Sequence, residues 1–321
     1  MAAENFTSVQ EFILVGLTNH RKTQMLLFVV ILLTYSFTVL GNLMIIVLVL
    51  TDFHLQTPMY FFLTNLSTLE ICFVTTTEPQ MLAHLMAGNG VLPFTHCVAQ
   101  MYIATSLASI ECFLLAAMAY DRYLAICRPL VYTVAMGGWH SLQLAFASWV
   151  IGAILASITM SSILRLPFCG PNRINHFCCE APLLLKLSCA DIRVTEQIVV
   201  IFSSFILLFP LSLILTSYGM ILWSVLQIRS KLPGRTPRLF SYIALPPGRG
   251  LPVLRHRHVH APDPIASAKV NSNYDKWIAV FYAVVTPMLN PIIYTLRNKD
   301  VHDAAAKMMG RWGLSYRHQV V

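Results

Sequence analysis

The chain has 321 residues, of which 56% are hydrophobic and only 11% charged, less than half the charged share of a soluble domain, roughly 25%. That composition excludes a water-soluble globule and points to an integral membrane protein with helical spans, because unpaired backbone amides in hydrocarbon cost several kcal/mol each. The formal net charge of +8 does not mark a nucleic-acid binder: the basic residues are scattered at helix ends and in loops, without a contiguous patch, and are assigned to membrane topology.

Residues 1–24 form the N-terminal segment, which lacks a basic start and a cleavage site, so the first apolar run is expected to serve as an uncleaved signal anchor. Asn5-Phe6-Thr7 is a glycosylation sequon, expected to lie outside the membrane, whereas Asn65-Leu66-Ser67 sits inside an apolar run that no transferase reaches. The first span covers about 25–50 and carries Gly41-Asn42 at its middle, where a buried amide calls for an interhelical partner. Arg21 and Lys22 precede this span and the following loop has no Lys or Arg, a charge bias against an external N-terminus that the sequon and a later cysteine-rich loop outweigh.

Pro58 opens the second span, 58–86, as suits a first helical turn. Glu70 falls at its middle, and Glu78-Pro79 lies nearer one end, where a carboxylate could select amines. The third span, 98–121, holds Glu111 and ends on Asp121-Arg122, which places that pair at the water interface about 20 residues from the span's start. Carboxylates inside a membrane are costly and mark function by default; the plain alternative for Glu70 and Glu111 is a single protonated glutamate hydrogen-bonded in the core. A fourth span, 142–164, includes Trp149; a fifth, 198–226, is bent by Pro210; the last, 277–296, exits through Arg297-Asn-Lys-Asp300 into a tail, 297–321. The eight cysteines divide between apolar runs (Cys72, Cys112, Cys127) and a polar set (Cys97, Cys169, Cys178, Cys179, Cys189) that fits disulfides in an oxidising compartment, with connectivity open from spacing alone.

Met118-Ala-Tyr-Asp-Arg-Tyr-Leu-Ala-Ile-Cys127, the stretch Leu55 to Ser67 (LxTPMYFFLxNLS) and Pro287-Met-Leu-Asn-Pro-Ile-Ile-Tyr294 resemble the motifs of vertebrate odorant receptors, rhodopsin-like receptors that couple to G proteins. The resemblance implies an all-α, seven-transmembrane bundle at the plasma membrane. It implies a small volatile ligand among helices three, five, six and seven, with Ala104, Thr105, Ala108 and Ser109 facing Phe202, Ser203 and Ile206. Ordinary helix packing explains any one of those residues equally well. By the same resemblance Asp121, Arg122 and Tyr123 form a locked group that opens to admit a heterotrimeric G protein of the olfactory Gs type, while Tyr218, Asn290, Pro291 and Tyr294 serve activation. Glu70 and Glu111 would face one another beside Asn42 and Asn290 around a sodium ion or a shared proton, and Cys97 would pair with Cys179 and Cys169 with Cys189. Cys178 is left over, at a position where the family usually has an aromatic residue. His176-Phe-Cys-Cys-Glu180 fits a His-x-x-Cys-acid pattern suggested as a metal site in such receptors; the disulfide at Cys179 competes with it, so neither a metal nor a cofactor is assigned.

The resemblance breaks where a sixth span belongs. Residues 236–262 contain Pro246, Pro247 and Pro252 with Arg249, Arg255 and Arg257, each arginine costing roughly 2.5–3.5 kcal/mol at a helix centre. No membrane helix forms from such a run. Only Phe240-Ser241 survives of the family's KAFSTCSSHLxVVxLFYG pattern. Codons able to encode Tyr242 through His260, read one base later, give Thr-Ser-Leu-Ser-His-Leu-Ala-Val-Val-Ser-Leu-Phe-Tyr-Gly-Ile-Val-Met-Phe, the family's sixth helix. A net one-base insertion near Ser241, compensated near Ala261, is therefore the expected origin of the segment. Metal or anionic-lipid binding by Arg255-His-Arg-His-Val-His260 is the plain alternative.

Two other function classes are weighed. A transporter also uses intramembrane carboxylates and bent helices, but the chain has no inverted repeat or matched pair of broken helices; an enzyme would need a nucleophile and base at working spacing, or a phosphate loop, and neither is present. A receptor remnant that is retained in the endoplasmic reticulum, and traps intact relatives there, is a further alternative that the broken sixth span raises.

Overall fold

The structure, a computed structural model, describes residues 9–18, 20–88, 90–169, 172–231, 276–277, 279–297 and 300–308. The sequon at Asn5 and the anomalous run 236–262 lie outside the described residues, and of Tyr294 only the backbone is described.

Long helices dominate: α1 (Arg21–Thr51), α2 (Pro58–Ala87), α3 (Phe94–Cys127), α5 (Gly138–Leu164) and α7 (Arg193–Lys231), with the short α4 (Pro129–Ala135) and α6 (Ala181–Leu185) between them. After the undescribed stretch come a π-helical turn, Phe281–Val285, then α8 (Thr286–Arg297) and a last helix, α9, at 300–308. Four of the helices, α1, α3, α5 and α7, are long and apolar enough to cross a membrane. Several of their Ser and Thr hydroxyls bond back to their own helix and so do not interrupt it: Thr38 to Thr34 O, Ser148 to Leu144 O, Thr159 to Leu155 O and Thr216 to Ser212 O, all at 2.7–3.0 Å.

Side-chain burial separates the helices by role. In its most apolar stretch α3 is 61% buried, against 22% for α1 and for α7, so α3 is the axis and the other two are flanks. On α1 the residues Leu26, Leu33, Leu40 and Val47, spaced by seven, all point outward and are exposed. A soluble protein would not leave such a stripe uncovered, and lipid tails cover it at no cost. Because lipid is as apolar as leucine, helix association here rests on close packing and hydrogen bonds rather than on water exclusion. Two glycines show how close the packing is. A Cβ at Gly152 would fall 2.8 Å from the backbone nitrogen of Ile110, and one at Gly41 would fall 2.9 Å from Cβ of Pro291. These contacts set α5 against α3 and α8 against α1.

The composition predicts no sheet, yet one end of the bundle carries three strands in the order β2-β1-β3: β1 (Glu11–Leu14), β2 (Val91–Pro93) and β3 (Arg173–Ile174). β1 runs antiparallel to β2, with Phe12 opposite Leu92, and parallel to β3, with Leu14 opposite Ile174. Beneath it Phe12, Leu14, Leu92 and Ile174 pack on Cys97, Met101, Met160, Ile163 and Leu184. The other end is closed by α9, whose Val301, Ala304 and Ala305 pack on Ile45, Leu48, Leu55 and Leu63.

Asn42 departs from its expected role. It is buried, but its Nδ2 donates to Thr38 O of its own helix at 3.0 Å, and among the described residues it makes no interhelical hydrogen bond. Asn65 behaves otherwise: its Oδ1 accepts from Trp149 Nε1 at 3.2 Å across to α5, which buries the discounted sequon in a helix contact.

Candidate ligand-binding and coupling sites

At the α9 end of the bundle, the last turns of α3 hold Asp121 and Arg122. Among the described residues these two do not bridge. Asp121, 2% exposed, accepts at Oδ1 from the Tyr132 hydroxyl of α4 at 2.9 Å, while Arg122 Nη1 donates to the Tyr218 hydroxyl of α7 at 3.0 Å. Burial above all, and then the Asp121 carboxylate, hold the Tyr132 phenol above its ordinary pKa, so it stays a donor at any physiological pH. One residue pair of the sequence thus sends its two charges to two different helices, and α3, α4 and α7 are joined at one level. Tyr60 adds a further tie by donating to Asp300 Oδ2 at 3.2 Å.

Deeper in the bundle Glu70 accepts from Asn290 Nδ2. Glu70, Glu111 and Asn290 line one small cavity, together with Leu69, Phe73, Leu107, Tyr282, Thr286 and Pro287. Asn42 is not part of that lining. Glu78, about two turns further along α2, is 1% exposed, and neither of its oxygens has a hydrogen-bond partner among the described residues.

The sheet end is tied far more heavily. Disulfides join Cys97 to Cys179 and Cys169 to Cys189, the pairing that the resemblance implies. Gln100 clasps the first of them, accepting from Cys179 N at 3.3 Å and donating to Thr76 O at 3.2 Å. Lys276, 5% exposed, donates to Gly16 O at 2.9 Å and Asn175 Oδ1 at 2.7 Å, joining the N-terminal strand, the loop after α5 and the start of the last span. Cys178 is in no disulfide; burial first, and then the neighbouring Glu180 carboxylate, push its thiol well above the ordinary range.

Comparison with known proteins decides what this bundle is. The olfactory receptor family profile matches residues 30–311. The chain is 43% identical to human olfactory receptor 2D2 over 307 residues, covering 96% of this chain and 98% of that one. It is 42% identical to mouse olfactory receptor 2B6 over 321 residues, covering 98% and 99%. The chain belongs to the olfactory receptor family.

Within this receptor the residues expected to hold ligand are placed unevenly. Phe202 and Ile206 of α7 pack with Phe113 and Leu155, so they meet α3 and α5 directly. Ser109 is buried and spends its hydroxyl on Thr105 O at 2.7 Å; Ala108 is buried beside it, and Ala104, Thr105 and Ser203 are half-buried. None of the seven lines the Glu70–Glu111 cavity. Four residues that matter to the geometry escaped the sequence reading: Gln100, Tyr132, Lys276 and Tyr282. Lys276 carried a signal, a cation set directly against an apolar run, which in a membrane protein must be paired or snorkel. Tyr132, eleven residues past Asp121, and Tyr282 carried none.

Proposed function

We propose that this receptor binds small volatile molecules within the helical bundle and activates a heterotrimeric G protein of the Gs type, once a membrane-spanning sixth segment is present. The observation that carries the coupling half is the divergence of Asp121 and Arg122 onto Tyr132 and Tyr218. A guanidinium donating to a hydroxyl on another helix holds that helix by a bond that water or a partner's carbonyl can replace, so a docking protein can exchange it at little net cost. Ala104, Thr105, Ala108, Ser109, Phe202, Ser203 and Ile206 are the proposed pocket; their small or apolar side chains suit weakly polar ligands. A ligand shifts the receptor only by binding the active arrangement better than the inactive one. Glu70, Glu111 and Asn290 are the proposed intramembrane ion or proton site, and their shared cavity supports that reading. Asn5 is the proposed glycosylation site.

A second reading rests on the prolines and arginines of 246–257. With that run in place of a sixth span, six crossings put the two ends of the chain on the same side, the swinging element of the coupling cleft is missing, and the product is retained in the endoplasmic reticulum without signalling. The two readings separate in one experiment. The chain as given, and a version with the frame restored between Ser241 and Ala261, are expressed with an N-terminal tag. Surface staining is measured, with cyclic AMP recorded over an odorant panel and Arg122→Ala as the coupling control in the restored background. Surface display and signal in the restored version alone support both the receptor reading and the lesion. A restored version that reaches the surface, binds odorant and never raises cyclic AMP overturns the Gs assignment. Equal surface levels for both versions overturn the lesion.

A further inference from the structure

The loop between α5 and α7 folds three unlike donors together. His176 Nδ1 lies 3.3 Å from Cys178 Sγ, Cys178 Sγ lies 3.7 Å from Glu180 Oε1, and all three ligand atoms fall within 4.8 Å of one another. His176 and Cys178 are buried, and Glu180 is half-buried. His176, Cys178 and Glu180 lie two residues apart on a loop whose backbone bends through 175–178, and that turning of the chain, not a strand-like alternation, brings the three together. Phe177 stacks on the His176 ring, with centroids 4.6 Å apart, and Cys179 is fastened by its disulfide. The intervening residues are buried as well, and their stacking and disulfide fix the backbone that carries the three donors.

We infer that His176, Cys178 and Glu180 form a three-ligand site for a borderline-soft divalent cation of the zinc class. Zinc takes thiolate sulfur at about 2.3 Å, imidazole nitrogen at about 2.0–2.1 Å and carboxylate oxygen at about 2.0–2.2 Å in a tetrahedron, and bonds of that length place neighbouring ligand atoms roughly 3.3–3.8 Å apart. The two measured edges already have that spacing, and closing the third requires only a side-chain adjustment. A mixed nitrogen, sulfur and oxygen set disfavours magnesium and calcium, which take oxygen, and suits zinc. Outside the three ligands the Tyr282 hydroxyl donates to Glu180 Oε1, the kind of outer partner that orients a metal-bound carboxylate. The site differs from the His-x-x-Cys-acid pattern because Cys179 is held in a disulfide; the sulfur comes from Cys178, where the resembling receptors have an aromatic residue.

Binding writes as one step: the cation enters, three metal–ligand bonds form, and the Cys178 thiol proton leaves to the buffer. Because Tyr282 also lines the Glu70–Glu111 cavity, the bound ion fixes the loop to the last span directly over that cavity. None of this depends on G-protein coupling.

The test uses the purified full-length chain in detergent, titrated with zinc against a chromophoric chelator and separately with cobalt. One zinc per chain is expected, with a thiolate-to-cobalt charge-transfer band. Cys178→Ser and His176→Ala should abolish both, Tyr282→Phe should weaken zinc about 10-fold, and Cys72→Ala should change nothing. Disulfide mapping of each variant checks that Cys97–Cys179 remains intact. Zinc bound equally well by a Cys178→Ser chain with both disulfides overturns the site. If that variant misfolds, the unsubstituted chain decides: absence of the thiolate–cobalt band overturns the proposal.

Discussion

The two ends of this receptor are held together by different kinds of bond. At the sheet end two disulfides, three paired strands, the Gln100 clasp and the buried Lys276 tie four separate stretches of chain into one lid. At the opposite end single hydrogen bonds join α3 to α7 and to α4, Arg122 to Tyr218 and Tyr132 to Asp121, and α2 to α9, Tyr60 to Asp300. Covalent closure removes conformations from the unfolded chain and cannot be exchanged for a bond to a partner. A lone hydrogen bond contributes a net of only about 0.5–1.5 kcal/mol, and its donor and acceptor can be re-used. The proposed function needs such a contrast: a fixed frame over the proposed pocket, and replaceable contacts at the proposed docking face.

The largest way to break the contrast is to open the lid. Cys97→Ser should cost about 2–5 kcal/mol and remove the chain from the cell surface, read by staining of the frame-restored protein. The second bridge should matter less, because it spans 20 residues instead of 82. On the chain-entropy scaling, Cys169→Ser paired with Cys189→Ser should cost about 1 kcal/mol less than opening the first bridge, checked by thermal unfolding of both variants in detergent. Lys276→Met leaves Gly16 O and Asn175 Oδ1 without their shared donor and should destabilise by about 1–3 kcal/mol, with faster proteolysis of the N-terminal strand as the local readout. At the other end Tyr132→Phe should cost only about 1 kcal/mol in stability while raising ligand-independent cyclic AMP, because Asp121 loses its hold on α4. Smallest on folding, and sharpest for the carboxylates, is Glu78→Leu: it removes two buried oxygens that have no hydrogen-bond partners among the described residues, so its melting temperature should be unchanged or higher.

Much of this frame was legible in the sequence, for a physical reason. Spans of bilayer length are apolar throughout, so α1, α3, α5 and α7 were readable as runs, and the residues that interrupt such runs, Glu70, Glu111 and Asp121, stand out because hydrocarbon tolerates so few of them. The lid was not readable in the same way. β1 has four residues and β3 two, too short for any alternation to register, and their pairing joins residues about 160 apart along the chain. Asn42 misled because a buried amide implies a partner without saying whether it lies on another helix or four residues back on its own. Cys178 was legible only as a residue out of place; that it faces His176 and Glu180 depends on how the loop bends through 175–178, which no periodicity announces.

The contrast between the ends is tested most directly by hydrogen–deuterium exchange on the purified chain, comparing backbone amides of 11–14, 91–94 and 172–176 with those of α4 at 129–136. The sheet amides should exchange more slowly than the α4 amides, and reduction of the disulfides should erase most of that difference. Equal protection at both ends before reduction, or faster exchange in the strands, would contradict the division into a fixed lid and an exchangeable coupling end.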